Sequence, residues 1–327
     1  MKTEPETRVR IRRLSPPVDV HAALARDVLE GFRGDPKMLP PKYFYDARGS
    51  ELFVEITQTD EYYLTRTESA LLDAHARSLL EATRPEELFE IGSGASHKTR
   101  VLLEALHAVG GNRYVALEVS EDALRDAARA LTERYDWLEV EGLIGDFHTD
   151  LARIESGPRR LMCFLGSTLG NLIRSERDPF FAAVARVLQP DDAFLLGVDL
   201  VKSPAVLEAA YNDAAGVTAR FNKNVLHVLN RELDGDVPVE AFEHVSTYDR
   251  EERRIVSRLR ATRDVDARLN DLDLNVHFDA GEELFTEVST KFERDTLEAE
   301  LNEAGLRITR WIEAEDHAYG LALIQRA

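Results

Sequence analysis

From Arg66 onward the chain alternates short apolar runs with amphipathic stretches. Leu88-Phe89-Glu90-Ile91 is apolar but for one residue and is stopped by glycine, which predicts a buried strand. Lys98 to Ala108 puts Val101, Leu102, Ala105 and Leu106 on one helical face. Tyr114-Val115-Ala116-Leu117 predicts a second strand. Ser120 then caps a helix running to about Arg134, with Glu121 and Asp122 in its first turn. Leu138 to Leu143 predicts a third strand, Leu161 to Leu165 a fourth and Phe194 to Val198 a fifth. A helix from about Ser175 to Leu188 separates the last two. Such alternation specifies a mostly parallel sheet with right-handed crossovers.

After Lys202 the period changes. Pro204 opens a helix predicted to run to about Leu229. Glu243 to Tyr248, Arg254 to Ala261, Asp271 to Phe278 and Glu287 to Phe292 read as antiparallel strands. Asp295 to Ala304 is a helix closed by Gly305. Leu306 to Ile312 and Tyr319 to Ile324 form a closing strand pair that returns the chain to the first sheet. The predicted fold is α/β: a Rossmann-like sheet, parallel with an antiparallel closing pair, plus a second α+β domain. Residues 67–201 and 293–327 make the first domain, and 14–66 with 202–292 the second. The first ~15 residues read as a mobile tail.

A chain of 327 residues with 44% apolar content can bury a substantial core. No run approaches the ~18 apolar residues of a membrane span, and the charged N-terminus has no apolar signal region. The single cysteine, Cys163, excludes a disulfide within the chain and fits a reducing cytoplasm. A net charge of −19 repels phosphate backbones and excludes nucleic acid as a partner. Only seven of the 41 basic residues are lysine, a balance that suits a high-salt interior. An arginine-rich codon bias gives the same deficit.

The chemistry concentrates at strand ends. Glu90-Ile91-Gly92-Ser93-Gly94 lies between a strand and a helix, where glycines admit a ligand to the backbone and free N–H groups face it. A nicotinamide dinucleotide would want a third glycine, but position 97 is His97. Glu118 ends the next strand and suits ribose hydroxyls; Asp146-Phe147 ends the third and suits an adenine amine and ring face. The set favours S-adenosylmethionine over a nicotinamide cofactor, although Glu118 and Asp146 taken singly read equally well as caps. Phe164 to Leu172 adds glycines and Asn171 after the fourth strand. Thr286 to Phe292 puts Glu287 and Ser289 on one strand face, suited to a basic or N–H-bearing side chain. His97, His148, His227 and His244 lack metal-ligand spacing and read as surface or capping residues, so no metal is expected. Cys163 reads as core.

With those stretches the sequence resembles the histidine Nα-methyltransferase family of ergothioneine biosynthesis. The resemblance spans Pro41 to Asp46, Gly49 to Phe53, Glu61-Tyr62-Tyr63 with Thr65-Arg66, Gly92 to Gly94 with Lys98 to Arg100, Gly145 to Phe147, Phe164 to Leu172, Asp199 to Lys202, Ala210 to Asn224 and Thr286 to Phe292. It implies a methyltransferase domain, a second, substrate-binding domain, and three successive methyl transfers to the α-amine of histidine. It implies that Asn171 and Tyr211 hold the substrate carboxylate, and that the Gly166 backbone and Tyr45 hydroxyl lie near the α-amine. Glu287 and Ser289 would bond the imidazole, with Tyr62 and Ser257 lining its pocket. Tyr45, Phe53, Gly92, Ser93, Lys98, Glu118, Asp146 and Phe147 would hold S-adenosylmethionine. The catalytic group is then Tyr45, Asn171 and Gly166. The expected enzyme is a monomer acting on a small amino acid, without nucleic-acid or membrane partners. Leu64 stands where many members have proline, and Glu118 where others have aspartate. Ser257 stands where the family has methionine, which predicts a roomier pocket. The alternatives are another amino acid or related amine as acceptor, a nicotinamide-dependent oxidoreductase, or a non-catalytic binding module.

Overall fold

A computed structural model describes residues 8–16, 19–92 and 97–327. Among these the strands, in chain order, are β1 (Val9–Arg13), β2 (Lys37–Met38), β3 (Glu87–Ile91), β4 (Arg113–Glu118), β5 (Glu139–Ile144), β6 (Arg160–Phe164) and β7 (Ala193–Asp199). There follow β8 (Phe242–Asp249), β9 (Arg254–Ala261), β10 (Val265–Leu269), β11 (Leu274–Phe278), β12 (Glu283–Thr290), β13 (Leu306–Glu313) and β14 (Tyr319–Arg326). The chain divides into two compact units. Residues 8–16, 64–200 and 292–327 make the first, 19–63 and 201–291 the second.

The first unit is built on an eight-stranded sheet in the order β1-β5-β4-β3-β6-β7-β14-β13. Strands β1 to β7 of this sheet run parallel, and β14 and β13 close it antiparallel. β3, β6 and β7 are buried at every residue, which is why they read as nearly continuous apolar runs. The core packs Phe89, Ile91, Met162, Phe164, Phe194 and Leu196 with Phe181 and Val184 of the helix Arg174–Val187. The chain lays down β3, β4 and β5 outward, then returns to place β6 on the other side of β3. This reversal makes the carboxyl ends of β3 and β6 a switch point, the place where open α/β sheets receive ligands.

One expectation fails here. Residues 9–13 are not tail but β1, paired in parallel with β5 from Val9↔Val140 to Arg13↔Ile144. The neighbouring Arg8 guanidinium donates to the carbonyls of Thr132 (2.8 Å), Tyr135 (2.7 Å) and Leu138 (3.1 Å). Arg8 and the ladder supply the bonds that order a charged, otherwise unremarkable segment. Residues 1–7 lie outside the described part.

The second unit carries a four-stranded sheet, β2-β12-β9-β8, and the β10-β11 hairpin. β12 begins at Glu283, four residues before the predicted start, and β11 begins at Leu274 after a turn at Asp273. β10 was not predicted, although Val265, Ala267 and Leu269 alternate as buried positions. The predicted helix Pro204–Leu229 is in fact two, Pro204–Ala210 and Val217–Glu232. The break has a local cause. The Asp213 carboxylate accepts from the amides of Val217 (2.8 Å) and Thr218 (2.7 Å) and starts a new helix. Gly216, at φ 66°, supplies the left-handed residue that the restart requires. Tyr211 sits at this break.

Candidate active site

In the first unit, Gly92 follows β3 with φ 68°, a conformation that glycine adopts at no steric cost. Ser93 and Gly94 lie outside the described residues. Glu90, in the same motif, faces inward. It accepts from the Tyr114 hydroxyl (2.6 Å) and from Thr99 Oγ1 (2.9 Å), bracketing the helix His97–Ala108 to the sheet. Burial pushes its pKa up to about 6. At the end of β4, Glu118 Oε1 accepts from the amides of Val119 (2.8 Å) and Ser120 (3.4 Å). Burial raises its pKa, and the carboxylate retains lone pairs for two hydroxyls. Asp146 does cap: its side chain accepts from His148 N (2.9 Å) at the start of a short helix. Phe147 is half-buried, edge-on to Phe164 and Phe180 at 5.3 and 6.0 Å, and stacked on His148 at 4.2 Å.

Beyond β6 the chain turns through two positive φ values, 78° at Gly166 and 57° at Ser167, into the short helix Thr168–Asn171. Ser167 Oγ accepts from Asp199 N at 2.9 Å. Lys98, expected at the cofactor, donates to Glu68 at 2.6 Å and lies 3.9 Å from where a Cβ on Gly166 would stand. Cys163 is fully buried, and burial holds its thiol well above the usual range. It is core, as its strand position predicts.

In the second unit an aromatic cluster gathers Tyr45, Phe53, Tyr62 and Phe221. Tyr45 meets Phe53 at 5.7 Å and Phe221 at 5.4 Å; Phe53 meets Tyr62 at 6.3 Å. Phe53, expected among the cofactor residues, sits in this cluster. Tyr45 directly precedes the helix Ala47–Ile56, which Asp46 caps: the Asp46 carboxylate accepts from Gly49 N (2.7 Å) and Asn224 Nδ2 (2.7 Å). Tyr45 is 47% exposed as a residue, yet desolvation and the nearby charge of Glu287 raise its phenol's pKa. At neutral pH it is a donor and not a base.

Tyr62 meets Tyr211 edge-on at 6.4 Å. The Tyr211 hydroxyl donates to Ser289 Oγ at 2.8 Å. Lys291, 2% exposed, donates to both, at 3.0 Å to Tyr211 and 2.8 Å to Ser289, and its ammonium lies 4.7 Å from the Tyr211 ring centre. Sequence reading missed Lys291, although it continues the face of Glu287 and Ser289 at period two. Glu287, half-buried, stands across the ladder from Ser257 after a bulge at Thr286. Ser257 is 2% exposed, and its hydroxyl pairs with Ser246 at 2.8 Å.

His244, read as a surface or capping residue, is half-buried and bonded through both ring nitrogens. Its Nε2 lies 2.8 Å from the Tyr211 carbonyl and its Nδ1 2.8 Å from Asn222 Nδ2. A carbonyl accepts and an amide nitrogen donates, so Nε2 carries the proton and the ring is neutral. Burial lowers its pKa, consistent with that form. His244 pins the backbone at Tyr211.

A family model described as a histidine-specific, S-adenosylmethionine-dependent methyltransferase matches residues 24–326. The histidine N-alpha-methyltransferase of Mycobacterium tuberculosis is 48% identical over 304 residues, covering 93% of this chain and 95% of that protein. The enzyme of the same name from Mycolicibacterium smegmatis is 47% identical, with the same coverage. Ergothioneine biosynthesis protein 1 of Neurospora crassa is 30% identical over 95% of this chain but only 36% of its own length. The chain belongs to the family of histidine-specific, S-adenosylmethionine-dependent methyltransferases.

Proposed function

We propose that this enzyme transfers three methyl groups in succession from S-adenosylmethionine to the α-amine of L-histidine, giving hercynine on the way to ergothioneine. The first unit holds the methyl donor. Gly92, with Ser93 beside it in sequence, receives its amino-acid end, Lys98 its carboxylate, Glu118 the ribose hydroxyls, and Asp146 with Phe147 the adenine. The second unit holds the acceptor. Glu287 takes an imidazole N–H and Ser289 the other ring nitrogen, beside Tyr62. Tyr211 takes the substrate carboxylate. Phe53, through its ring contact with Tyr45, shapes the wall nearest the reacting amine.

The observation that carries the acceptor reading is the placement of Glu287 and Ser289 two residues apart on β12, with Ser289 Oγ fixed by Tyr211 and Lys291. An imidazole presents two nitrogens that a carboxylate and a hydroxyl complement. A ligand lacking those nitrogens forgoes these hydrogen bonds, at a cost of about 1–3 kcal/mol each.

The chemistry is an in-line displacement. The neutral amine nitrogen attacks the methyl carbon, the C–S bond breaks, and a thioether leaves. The first two products each shed a proton before the next transfer. A sulfonium is already activated, so orientation supplies most of the acceleration. Tyr45 orients the nitrogen through a hydrogen bond, and its raised pKa keeps it from serving as the base. We further propose that the enzyme acts as a monomer on free histidine in the cytoplasm. The decisive experiment offers the purified protein all twenty amino acids with S-adenosylmethionine and reads products by mass. Trimethylated histidine as the preferred product supports the reading. Preference for another amino acid would move the acceptor and point to Ser257.

A further inference from the structure

The helix Leu64–Thr83 carries a carboxylate with no exposed surface, Glu68. Its Oε1 accepts from Gly166 N at 2.8 Å and from the Tyr319 hydroxyl at 2.7 Å. Its Oε2 accepts from Lys98 Nζ at 2.6 Å and more weakly, at 3.0 Å, from the same Gly166 amide, the lysine itself being 16% exposed. The donors come from the turn after β6, from β14 and from the first turn of the helix His97–Ala108. β7 makes room for the carboxylate: a Cβ on Gly197 would stand 2.1 Å from Oε1. Burying a carboxylate is costly unless it is paired and fully bonded, and breaking such a pair is worse than never having it. A merely structural core would put an apolar residue here.

We propose that Glu68 is a positioning residue for methyl transfer. One carboxylate holds both the Gly166 amide and the Lys98 ammonium. Given the roles assigned to those two residues above, on which this rests, Glu68 gives the acceptor-side backbone and the donor-side cation a single rigid reference. The turn at Gly166 and Ser167 needs such a hold. A non-glycine residue in the left-handed region, Ser167 here, persists only where its surroundings fix it.

Four variants separate the two bonds. In Glu68→Gln the amide oxygen keeps Gly166 and Tyr319, and the amide nitrogen sets donor against donor at Lys98. Lys98→Met removes the ammonium alone. Glu68→Ala removes everything, and Gly197→Ala displaces the carboxylate without deleting it. Affinity for S-adenosylmethionine, measured by calorimetry without acceptor, is expected to fall about tenfold in Glu68→Gln and Lys98→Met. Amide exchange over residues 166–171 should stay at the wild-type rate in those two. In Glu68→Ala and Gly197→Ala that exchange should speed up about tenfold, and kcat should fall about thirtyfold, with a smaller change in KM for histidine. Wild-type affinity in Glu68→Gln, or wild-type exchange in Glu68→Ala, overturns the proposal. So does a loss of thermal stability that leaves affinity, exchange and kcat unmoved. If the alanine variants do not fold, the Glu68→Gln and Lys98→Met affinities decide alone. The affinity and exchange measurements need no acceptor, so a wild type that fails to methylate histidine refutes the proposed function without touching this result.

Discussion

The two units place the residues proposed to meet ligand by different means. In the first, topology does the placing: Gly92, Glu118, Asp146 and Gly166 all sit at or just beyond the carboxyl ends of adjacent parallel strands. In the second, side chains place one another. Tyr211, Ser289 and Lys291 form a closed set of bonds, and His244 with Asn222 holds the backbone beneath it. A sheet tolerates substitution along its edges because the backbone keeps its course. A side-chain network does not, since each member is the support of the next. The second unit should therefore answer single substitutions more sharply in substrate affinity, the first more gradually.

The largest expected effect is in the second unit. Glu287→Ala should weaken histidine binding about a hundredfold, roughly 3 kcal/mol, with S-adenosylmethionine affinity nearly untouched. Calorimetry giving equal histidine affinity would break the contrast at its strongest point. Next comes Tyr45→Phe, which removes one orienting hydrogen bond. It should lower kcat about tenfold and KM for histidine little. Steady-state kinetics with unchanged kcat would reject Tyr45 as the orienting group.

The third test uses pH. His244 has its pKa lowered in the folded protein, so folding favours its neutral form. Its contribution to stability is present above the unfolded value near 6.5 and is lost as pH falls from there through the folded value. Glu90, raised to about 6 from 4.5, acts with the opposite sign between those values. The useful quantity is thus the difference between wild type and His244→Asn in urea midpoints at pH 7 and pH 5.5. That difference should shrink at the lower pH; a constant difference would mean that His244 titrates normally. The smallest effect concerns the whole surface. With charge −19 and seven lysines, thermal midpoints are expected to rise by a few degrees from low salt to molar KCl. A flat response would leave codon bias as the source of the lysine deficit.

How much of this was legible follows the same division. The strands of the first unit announce themselves as apolar runs because both faces are covered, and glycines mark their ends. Ser120 was readable as a cap because its bond to Ala123 N is local. The break at Asp213 was not, because apolar spacing continues through it and only the carboxylate's choice of amides decides where a helix restarts. β10 was missed although its alternation is plain, since five residues after a turn rich in charge look like loop. His244 reads as one histidine among nine until Tyr211 and Asn222 are brought to it. Glu68 is the extreme case: its partners lie 30, 98 and 251 residues away, and a glutamate in a polar helix gives no hint of complete burial.

β1 has a practical consequence. It is the outermost strand beside β5, and its removal would bare the edge of β5 from Val140 to Ile144, where alternate residues would keep unpaired donors and acceptors. Such a bare margin is a template for another chain. A version shortened to begin at Leu14 should therefore express as aggregates or self-associated species even where its catalytic residues are intact.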